Sequence, residues 1–230
     1  MSAITITAYD WVPDIAKGQV RDLRLRWALE EAGLPYKVEL VAQGSQGEPA
    51  NLKRQPFGQI PTMEQDGVTM FETGACVWRI AEQSEALLPS GRAERDACLS
   101  WVFAALNSVE PAAFMLGFLR FCEMEPARFG LKDAQTAKDM NPAAKGHFDQ
   151  RLKRVAGALD GRSHLVAGRF TVADLMMTSV LVSAEKRGLM ADHPEIAAYF
   201  ELHASRPGYR KAIADQLATF AEHEAHYARG

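Results

Sequence analysis

Residues 55–75 read QPFGQIPTMEQDGVTMFETGA, and this stretch predicts a β-hairpin that is followed directly by a helix. The pair Asp66 and Gly67 separates two short strand-like segments. Such a pair favours a tight hairpin turn, because both residues tolerate positive φ angles. The helix is expected to begin at Thr73, whose hydroxyl is suited to the free backbone N–H groups of a first helical turn. The stretch therefore predicts a strand-strand-helix (ββα) unit.

The segment before the hairpin predicts a strand, a helix and a second strand. Residues 4–9 (ITITAY) alternate in the manner of a strand, and residues 19–32 carry two apolar stripes at helical spacing. Gly33 supplies a helix stop, because glycine readily adopts the left-handed conformation that ends many helices. Residues 36–41 (YKVELV) then alternate again. This βαβ unit and the ββα unit together predict a thioredoxin-like domain over residues 1–84.

The chain after this domain shows only helical patterns. Residues 85–93 contain the turn-forming run LPSG and are interpreted as a linker, and residues 94–230 as an all-helical domain. A long helix is predicted from about Arg92 to Glu123, kinked or interrupted at Glu110 and Pro111 because proline disturbs the preceding turn. The predicted fold class is therefore an α/β thioredoxin-like N-terminal domain (βαβ, ββα) followed by an all-α C-terminal domain.

The composition is typical of a soluble protein that acts on small molecules. The 230 residues have a net charge of -3 and a mean hydropathy of -0.18, and no apolar run approaches the ~20 residues of a membrane span. Without a broad basic field, nucleic acid is not expected as a partner, and neither is a membrane. The three cysteines form no CxxC pair, so we expect a reducing, cytoplasmic location. The histidines and acids of residues 222–226 match no metal-ligand motif, and no metal is expected.

Five spaced segments resemble the glutathione transferase (glutathione S-transferase) family, soluble cytosolic type. They are residues 26–35, 55–62, 66–75, 171–174 and 205–210. The fourth of them, TVAD, is also a capping box, in which the Thr and Asp side chains satisfy free backbone donors at a helix start. The resemblance covers most of the chain. It implies the same two-domain fold, glutathione as co-substrate, a small apolar electrophile as second substrate, and a homodimer that pairs the third and fourth helices.

The resemblance assigns glutathione-binding roles to Gln59, Ile60, Pro61, Glu72 and Thr73. In the family the proline that matches Pro61 is cis, which exposes the backbone of the preceding residue, here Ile60, to the cysteinyl part of glutathione. Thr73 begins a helix, whose free N–H groups and positive dipole end favour the γ-glutamyl carboxylate. Glu72 supplies a negative charge for the γ-glutamyl amino group, and Gln59 offers an amide to the ligand backbone.

The residue that activates the glutathione thiol is predicted among Tyr9, Trp11 and Gln19. A free thiol has a pKa near ~8.5, so a transferase must favour the thiolate. Family members use Ser, Tyr or Cys near the start of the first helix. The position of the Ser or Cys falls on Gln19 here, whereas a longer loop at residues 10–18 moves the Tyr position to Tyr9 or Trp11. All three side chains can donate a hydrogen bond.

The resemblance implies nucleophilic addition of the glutathione thiolate to an electrophilic apolar substrate, a reaction of detoxification. Phe114 and Phe118 are candidates for the electrophile pocket, with core packing as the alternative. Lys17 and Arg21 are interpreted as solvated surface charges. Glutathione-dependent isomerisation, dehalogenation and peroxide reduction stay open, as does a non-catalytic binding protein of the same fold. A thiol reductase is not expected, because no cysteine lies near Gln19.

Overall fold

The N-terminal part of the molecule is built around a small mixed sheet, in a computed structural model that describes residues 3–227. Its strands and helices are β1 (Ile4–Tyr9), α1 (Asp22–Ala32), β2 (Tyr36–Val41), α2 (Pro49–Leu52), β3 (Met63–Gln65), β4 (Val68–Met70) and α3 (Thr73–Ala81). The strand order is β2-β1-β3-β4, with β2 parallel and β3 antiparallel to β1. This topology confirms the predicted βαβ and ββα units.

Residues with positive φ angles define the turns of this domain. Gly33 ends α1 with a φ of 65°, and Asp66 and Gly67 form the β3–β4 turn with φ angles of 56° and 74°. Helix α1 begins later than predicted. The chain before α1 forms successive turns, in which the backbone N–H of Ala16 donates to the carbonyl of Pro13 at 2.8 Å and the N–H of Gln19 donates to the carbonyl of Ala16 at 3.0 Å. Gln19 therefore lies in the turn before α1 and not within the helix.

The C-terminal part is all helical, as predicted. Its helices are α4 (Arg92–Ala104), α5 (Glu110–Met124), α6 (Ala134–Leu159), α7 (Val172–Lys186), α8 (Pro194–Ala204) and α9 (Pro207–Tyr227). The largely buried helix α7 starts at the predicted capping box. The backbone N–H of Thr171 donates to Asp174 at 3.0 Å, and the N–H of Ala173 donates to the Thr171 hydroxyl at 3.3 Å. The linker bounds 85–93 stay a prediction, and α4 begins within them.

Helices α4 and α5 run on as one long helix through a π-helical turn, Ala105–Val109, directly before Pro111. At the predicted kink or interruption the helix thus widens for one turn without a break, because the π turn accommodates a residue that lacks a backbone donor. The continuous run Arg92–Met124 contains an 18-residue window with a mean hydropathy of 1.5, so by length and composition alone it could cross a membrane. This corrects the expectation that no such stretch exists. In that window 39% is buried inside the molecule, and a single helix of this kind is weak evidence for a membrane span, because core helices of soluble proteins meet the same length and composition criteria.

Candidate active site

The Ile60–Pro61 segment lies directly before β3 and is held against β1. Its peptide bond is cis, as the resemblance implies. The hydroxyl of Thr7 in β1 accepts a hydrogen bond from the backbone N–H of Thr62 at 2.7 Å, and the N–H of Thr7 donates to the Thr62 carbonyl at 3.0 Å. The side chains of Ile60 and Pro61 are buried. The backbone is therefore the part of this segment that a ligand can use.

A buried glutamine shapes the loop that leads into this segment. The Gln55 side chain is 2% exposed. Its Oε1 accepts hydrogen bonds from the backbone N–H groups of Phe57 at 2.6 Å and Gln59 at 3.3 Å, and its Nε2 donates to Oε1 of Gln59 at 3.3 Å. Gln55 thus sets the course of the loop and the position of Gln59. It had no predicted role, although it opens the QPFGQIP stretch.

The start of α3 combines an unusual backbone conformation with a buried hydroxyl. Glu72 has a φ of 67° and a ψ of 115°. Such a conformation is rare outside glycine and tends to be retained at functional sites. Thr73 is buried, and its hydroxyl accepts a hydrogen bond from Nη1 of Arg24 at 3.1 Å. The free N–H groups of the first turn and the nearby guanidinium both favour an anionic group at this point.

Two arginines at the start of α1 share one carboxylate from α5, and these three residues are termed the charge cluster. Nη2 of Arg24 lies 2.7 Å from Oε1 of Glu110, and Nη2 of Arg21 lies 2.9 Å from the same oxygen. Burial would raise the pKa of the Glu110 carboxyl, but Arg24 and then Arg21 outweigh burial and hold that pKa below its ordinary value. Burial lowers the pKa of Arg24 while Glu110 opposes the shift. With two positive charges and one negative charge, the cluster is net positive beside Thr73.

Most of the charge cluster was not predicted from the sequence. Arg24 and Glu110 had no predicted role, and Arg21, interpreted as a solvated surface charge, is 42% exposed and forms an ion pair with Glu110. One signal was present. Arg24 falls between the apolar stripes of the predicted helix, and a charge among buried positions indicates a partner elsewhere in the fold. The partner itself lies 86 residues away and leaves no local trace.

Three cavities open around the charge cluster. The anchor recess, a shallow depression of about 10 Å³, is lined by all five residues predicted to bind glutathione and by Arg21 and Gln55. The α3–α4 cavity, about 540 Å³, lies between the start of α3 and the α4 helix with its π turn. The apolar cavity, about 420 Å³, is bordered by the charge cluster and by six further residues that matter here: Ile15, Gln19, Phe114, Phe121, Val180 and Val182. The cluster thus stands where peptide-binding groups meet an apolar space.

The three residues predicted to activate the thiol lie in different surroundings. Gln19 lines the apolar cavity, and its amide nitrogen donates to the carbonyl of Ile15 at 2.7 Å. Trp11 stacks on Tyr227 with ring centroids 4.8 Å apart. Tyr9 ends β1, where burial raises the pKa of its hydroxyl. Neither Tyr9 nor Trp11 is among the described residues that line the three cavities.

The two phenylalanines predicted for the electrophile pocket take different positions. Phe114 lines the apolar cavity and is 63% exposed. Phe118 does not line it and instead packs against Phe114 and Phe129, with ring centroids 6.5 Å and 5.1 Å apart. The aromatic residue that lines the cavity beside Phe114 is Phe121.

The histidines near the C-terminus show no arrangement of metal ligands. His223 makes its hydrogen bond through Nδ1 to the backbone carbonyl of Thr219, at 2.9 Å. Within residues 3–227, no three or more His, Cys, Asp or Glu side chains are grouped to hold a metal ion.

Comparison with known proteins links both parts of the chain to one family. Residues 23–83 match the family model "Glutathione S-transferase, N-terminal domain", and residues 109–207 match "Glutathione S-transferase, C-terminal domain". Glutathione S-transferase 4 of Zea mays is 26% identical over 195 residues, which cover 80% of this chain and 83% of the relative.

Solved structures with the same fold include two glutathione transferases. Glutathione transferase F7 from Populus trichocarpa superposes with a TM-score of 0.74 at 22% identity, over 93% of this chain and 99% of that chain. The transferase URE2P8 from Phanerochaete chrysosporium, solved with oxidised glutathione, gives a TM-score of 0.76 at 16% identity, over 96% and 98%.

Proposed function

The chain belongs to the glutathione S-transferase family, and we propose that it binds glutathione and forms a bond between the glutathione sulfur and an electrophilic carbon of an apolar substrate. The observation that carries this proposal is the meeting of the anchor recess and the apolar cavity at Arg21. One space offers peptide-binding groups, and the other suits an apolar molecule. A transferase needs both side by side, because the sulfur and the electrophilic carbon must approach closely before they react.

The proposed binding mode uses each anchor according to its chemistry. The backbone of Ile60, before Pro61, pairs with the cysteinyl unit of glutathione as a short strand would. The γ-glutamyl carboxylate lies at the start of α3, where the Thr73 hydroxyl and the free N–H groups donate to it. Glu72 pairs with the γ-glutamyl ammonium, and the Gln59 amide contacts the ligand backbone.

The proposed reaction is nucleophilic. The bound thiol loses its proton to solvent, and a lone pair of the thiolate sulfur forms a new bond to the electrophilic carbon. In a substitution, the bond from that carbon to the leaving group breaks, and the leaving group departs with the electron pair. In an addition to an activated double bond, the displaced electron pair takes up a proton from water. Both routes release a thioether.

Three neutral side chains are proposed as hydrogen-bond donors to the sulfur. Gln19 has the support of its place beside the apolar cavity. Trp11 has a buried indole N–H that lacks a hydrogen-bond partner among the described residues. Tyr9 is a half-buried residue at the end of β1. For the second substrate, we propose that Phe114 contacts the electrophile and that Phe118 supports the Phe114 ring.

We also propose a cytoplasmic homodimer with a role in detoxification. Paired third and fourth helices are usual in the family, and here α3 and α4 present Trp78, Leu99 and Phe103 around the α3–α4 cavity. Leu99 and Phe103 are exposed in the single chain. Light scattering on the purified protein at micromolar concentration is expected to give twice the mass of one chain. A monomer at all concentrations would contradict the dimer.

Calorimetry and a conjugation assay on one preparation test the proposed function. Glutathione should bind, and an activated aryl halide should be converted to its glutathione thioether. Binding without turnover of any electrophile would instead favour the non-catalytic binding protein. Turnover confined to an isomerisable substrate, a haloalkane or a peroxide would identify the corresponding alternative reaction. Absence of glutathione binding would contradict the proposal altogether.

A further inference from the structure

We infer that Ser179 and Ser183 of α7 bind a neutral substituent of the electrophile that has two acceptor oxygens, such as a nitro group. The two serines thereby select substrates that carry such a group. This inference rests on the proposed function and names the class of its second substrate. It follows from where the serines lie, from the state of their hydroxyls and from the other walls of the apolar cavity.

The two serines open into the apolar cavity from a helix that is otherwise buried. Every residue from Val172 to Ala184 is buried except Ser179 and Ser183, which are partly exposed. Both serines line the apolar cavity, together with Val180 and Val182 of the same helix. The exposed part of each serine therefore faces the space proposed for the second substrate.

The hydroxyls of these serines are not engaged by the protein. A serine hydroxyl within a helix often bonds back to a carbonyl on the preceding turn. Ser100 in α4 does so and donates to the carbonyl of Asp96 at 2.9 Å, whereas the hydroxyls of Ser179 and Ser183 form no hydrogen bond within residues 3–227. Their O–H donors are therefore available to a molecule in the cavity.

The spacing of the two serines suits a group with two oxygens. Residues four apart lie on one face of a helix, one turn from each other, with Cβ atoms ~5–6 Å apart. In a nitro group both oxygens are bonded to one atom, so each oxygen can accept a hydrogen bond from a different hydroxyl. Because a buried ion requires a charged partner, two uncharged donors favour a neutral group.

The other walls of the cavity suit the apolar body of such a molecule. Phe114 and Phe121 line the cavity from α5, and Ile15 lines it from the loop before α1. Val180 and Val182 lie beside the serines on α7. Ligand pockets commonly bury an apolar body and use a few polar groups to orient it. Here the rings and aliphatic side chains would hold the body, and the serines would orient it.

The other polar side chains of the cavity are engaged or lie near the reacting atoms. The amide nitrogen of Gln19 donates to the carbonyl of Ile15 at 2.7 Å, and Arg24 contacts Glu110 at 2.7 Å. Arg21 lies at the boundary with the anchor recess, where the sulfur must meet the electrophilic carbon. The serines do not line that recess. They therefore suit a substituent at the end of the substrate that is remote from the reacting carbon.

The test compares 4-nitrobenzyl chloride with 4-isopropylbenzyl chloride, in which two methyl groups take the place of the two oxygens. Both react at the benzylic carbon: the sulfur–carbon bond forms, the carbon–chlorine bond breaks, and chloride leaves with the electron pair. We measure kcat/KM for conjugation with glutathione in the unmodified full chain, Ser179→Ala, Ser183→Ala and the double variant. The ratio of kcat/KM for the nitro substrate to that for the isopropyl substrate is the readout. A change in glutathione binding affects both substrates and cancels in this ratio.

Ser100→Ala is the matched control. It removes a helical serine hydroxyl that is bonded within its own helix, and Ser100 does not line any of the three cavities. Alanine favours helices more than serine does, so all these variants should fold, which thermal melting checks. If the double variant does not fold, the single variants decide.

We expect the ratio to fall ~2–10-fold in each single variant, because each loses one neutral hydrogen bond to the nitro group. The ratio should fall further in the double variant. Ser100→Ala should keep the ratio of the unmodified protein.

The outcomes separate this inference from the proposed function. A ratio that is unchanged in both single variants, including a case in which both substrates slow equally, would overturn the inference and leave the proposed function in place. Conjugation of an activated aryl halide but of neither benzyl chloride would also overturn the inference alone. Failure of the unmodified protein to bind glutathione would instead remove the proposed function, and the inference with it.

Discussion

Replacing Thr73 by Val removes the hydroxyl from the proposed carboxylate site while nearly preserving the side-chain shape. A threonine hydroxyl has one O–H donor and two lone pairs. One lone pair accepts the bond from Arg24 Nη1 at 3.1 Å, so the O–H can still donate to the γ-glutamyl carboxylate. A hydrogen bond to a charged group contributes ~1.5–3 kcal/mol, and each ~1.4 kcal/mol changes an affinity tenfold. We therefore expect Thr73→Val to weaken glutathione binding by ~10–150-fold.

Folding should be affected much less than binding. In the variant, Nη1 of Arg24 keeps its contact with Oε2 of Glu110 at 3.4 Å. The loss of one intramolecular hydrogen bond commonly lowers the free energy of unfolding by ~0.5–1.5 kcal/mol. Thermal melting measures that loss separately. Thr73→Ser restores the hydroxyl and serves as the matched control, with affinity close to that of the unmodified protein.

Calorimetry with two ligands isolates the contact with the carboxylate. Glutathione carries the γ-glutamyl unit, whereas cysteinylglycine lacks it. Thr73→Val should weaken glutathione binding and leave the affinity for cysteinylglycine unchanged. The reasoning is refuted if the variant binds glutathione as tightly as the unmodified protein does, or if both ligands are weakened equally.

Three further predictions concern the charge cluster, the electrophile pocket and the capping box. Glu110→Gln should lower the free energy of unfolding by ~3–5 kcal/mol in denaturant titrations, because buried Arg24 loses its carboxylate; an unchanged value would contradict this. The pKa of Glu110 is held below its ordinary value, so the stability that its carboxylate adds is complete above ~pH 4.3 and is lost as pH falls through the lowered folded-state pKa. Glu110→Gln should not show this loss of stability at low pH. Phe114→Ala should raise KM for an apolar aryl halide about fivefold through loss of ~1 kcal/mol of apolar contact, with unchanged glutathione affinity; an unaltered KM would exclude this ring from the pocket. Thr171→Ala should lower stability by ~0.5–2 kcal/mol and reduce Tm without weakening glutathione binding, and an equal Tm would show that the cap is not needed.

Most of the fold was predicted from sequence patterns that span only a few residues. Asp66 and Gly67 identified the hairpin because both tolerate positive φ, and Gly33 identified the end of α1 for the same reason. The capping box at the start of α7 is complete within four residues, so it could be recognised without any tertiary contact. The start of α1 was predicted too early, because Val20 shares the helical spacing of Leu23 and Trp27 although it lies before the first residue of the helix.

The site could be predicted only where its parts are close in sequence. Gln59, Ile60 and Pro61 are consecutive and line one recess with Glu72 and Thr73, although their binding of glutathione stays a prediction. Contacts between distant segments could not be predicted, since no local pattern encodes them.

Two such contacts shape the site. Arg24 and Glu110 are 86 residues apart in the chain and meet only in the folded molecule, where the first turn of α5 comes close to the first turn of α1. Trp11 and Tyr227 come from opposite ends of the chain. Their stacking places the Tyr227 ring against Trp11, one of the three side chains predicted to activate the thiol.

Binding of glutathione as a thiolate is tested most directly by counting protons. Calorimetric titration of the unmodified protein at about pH 7.5, in two buffers of different ionisation enthalpy, gives the affinity and the number of protons released per bound glutathione. Free glutathione is mostly protonated there, because a thiol has a pKa near ~8.5. With that pKa lowered by ~1–3 units in the site, we expect release of ~0.4–0.9 proton per ligand. Binding without proton release, or no binding at all, would contradict thiolate binding.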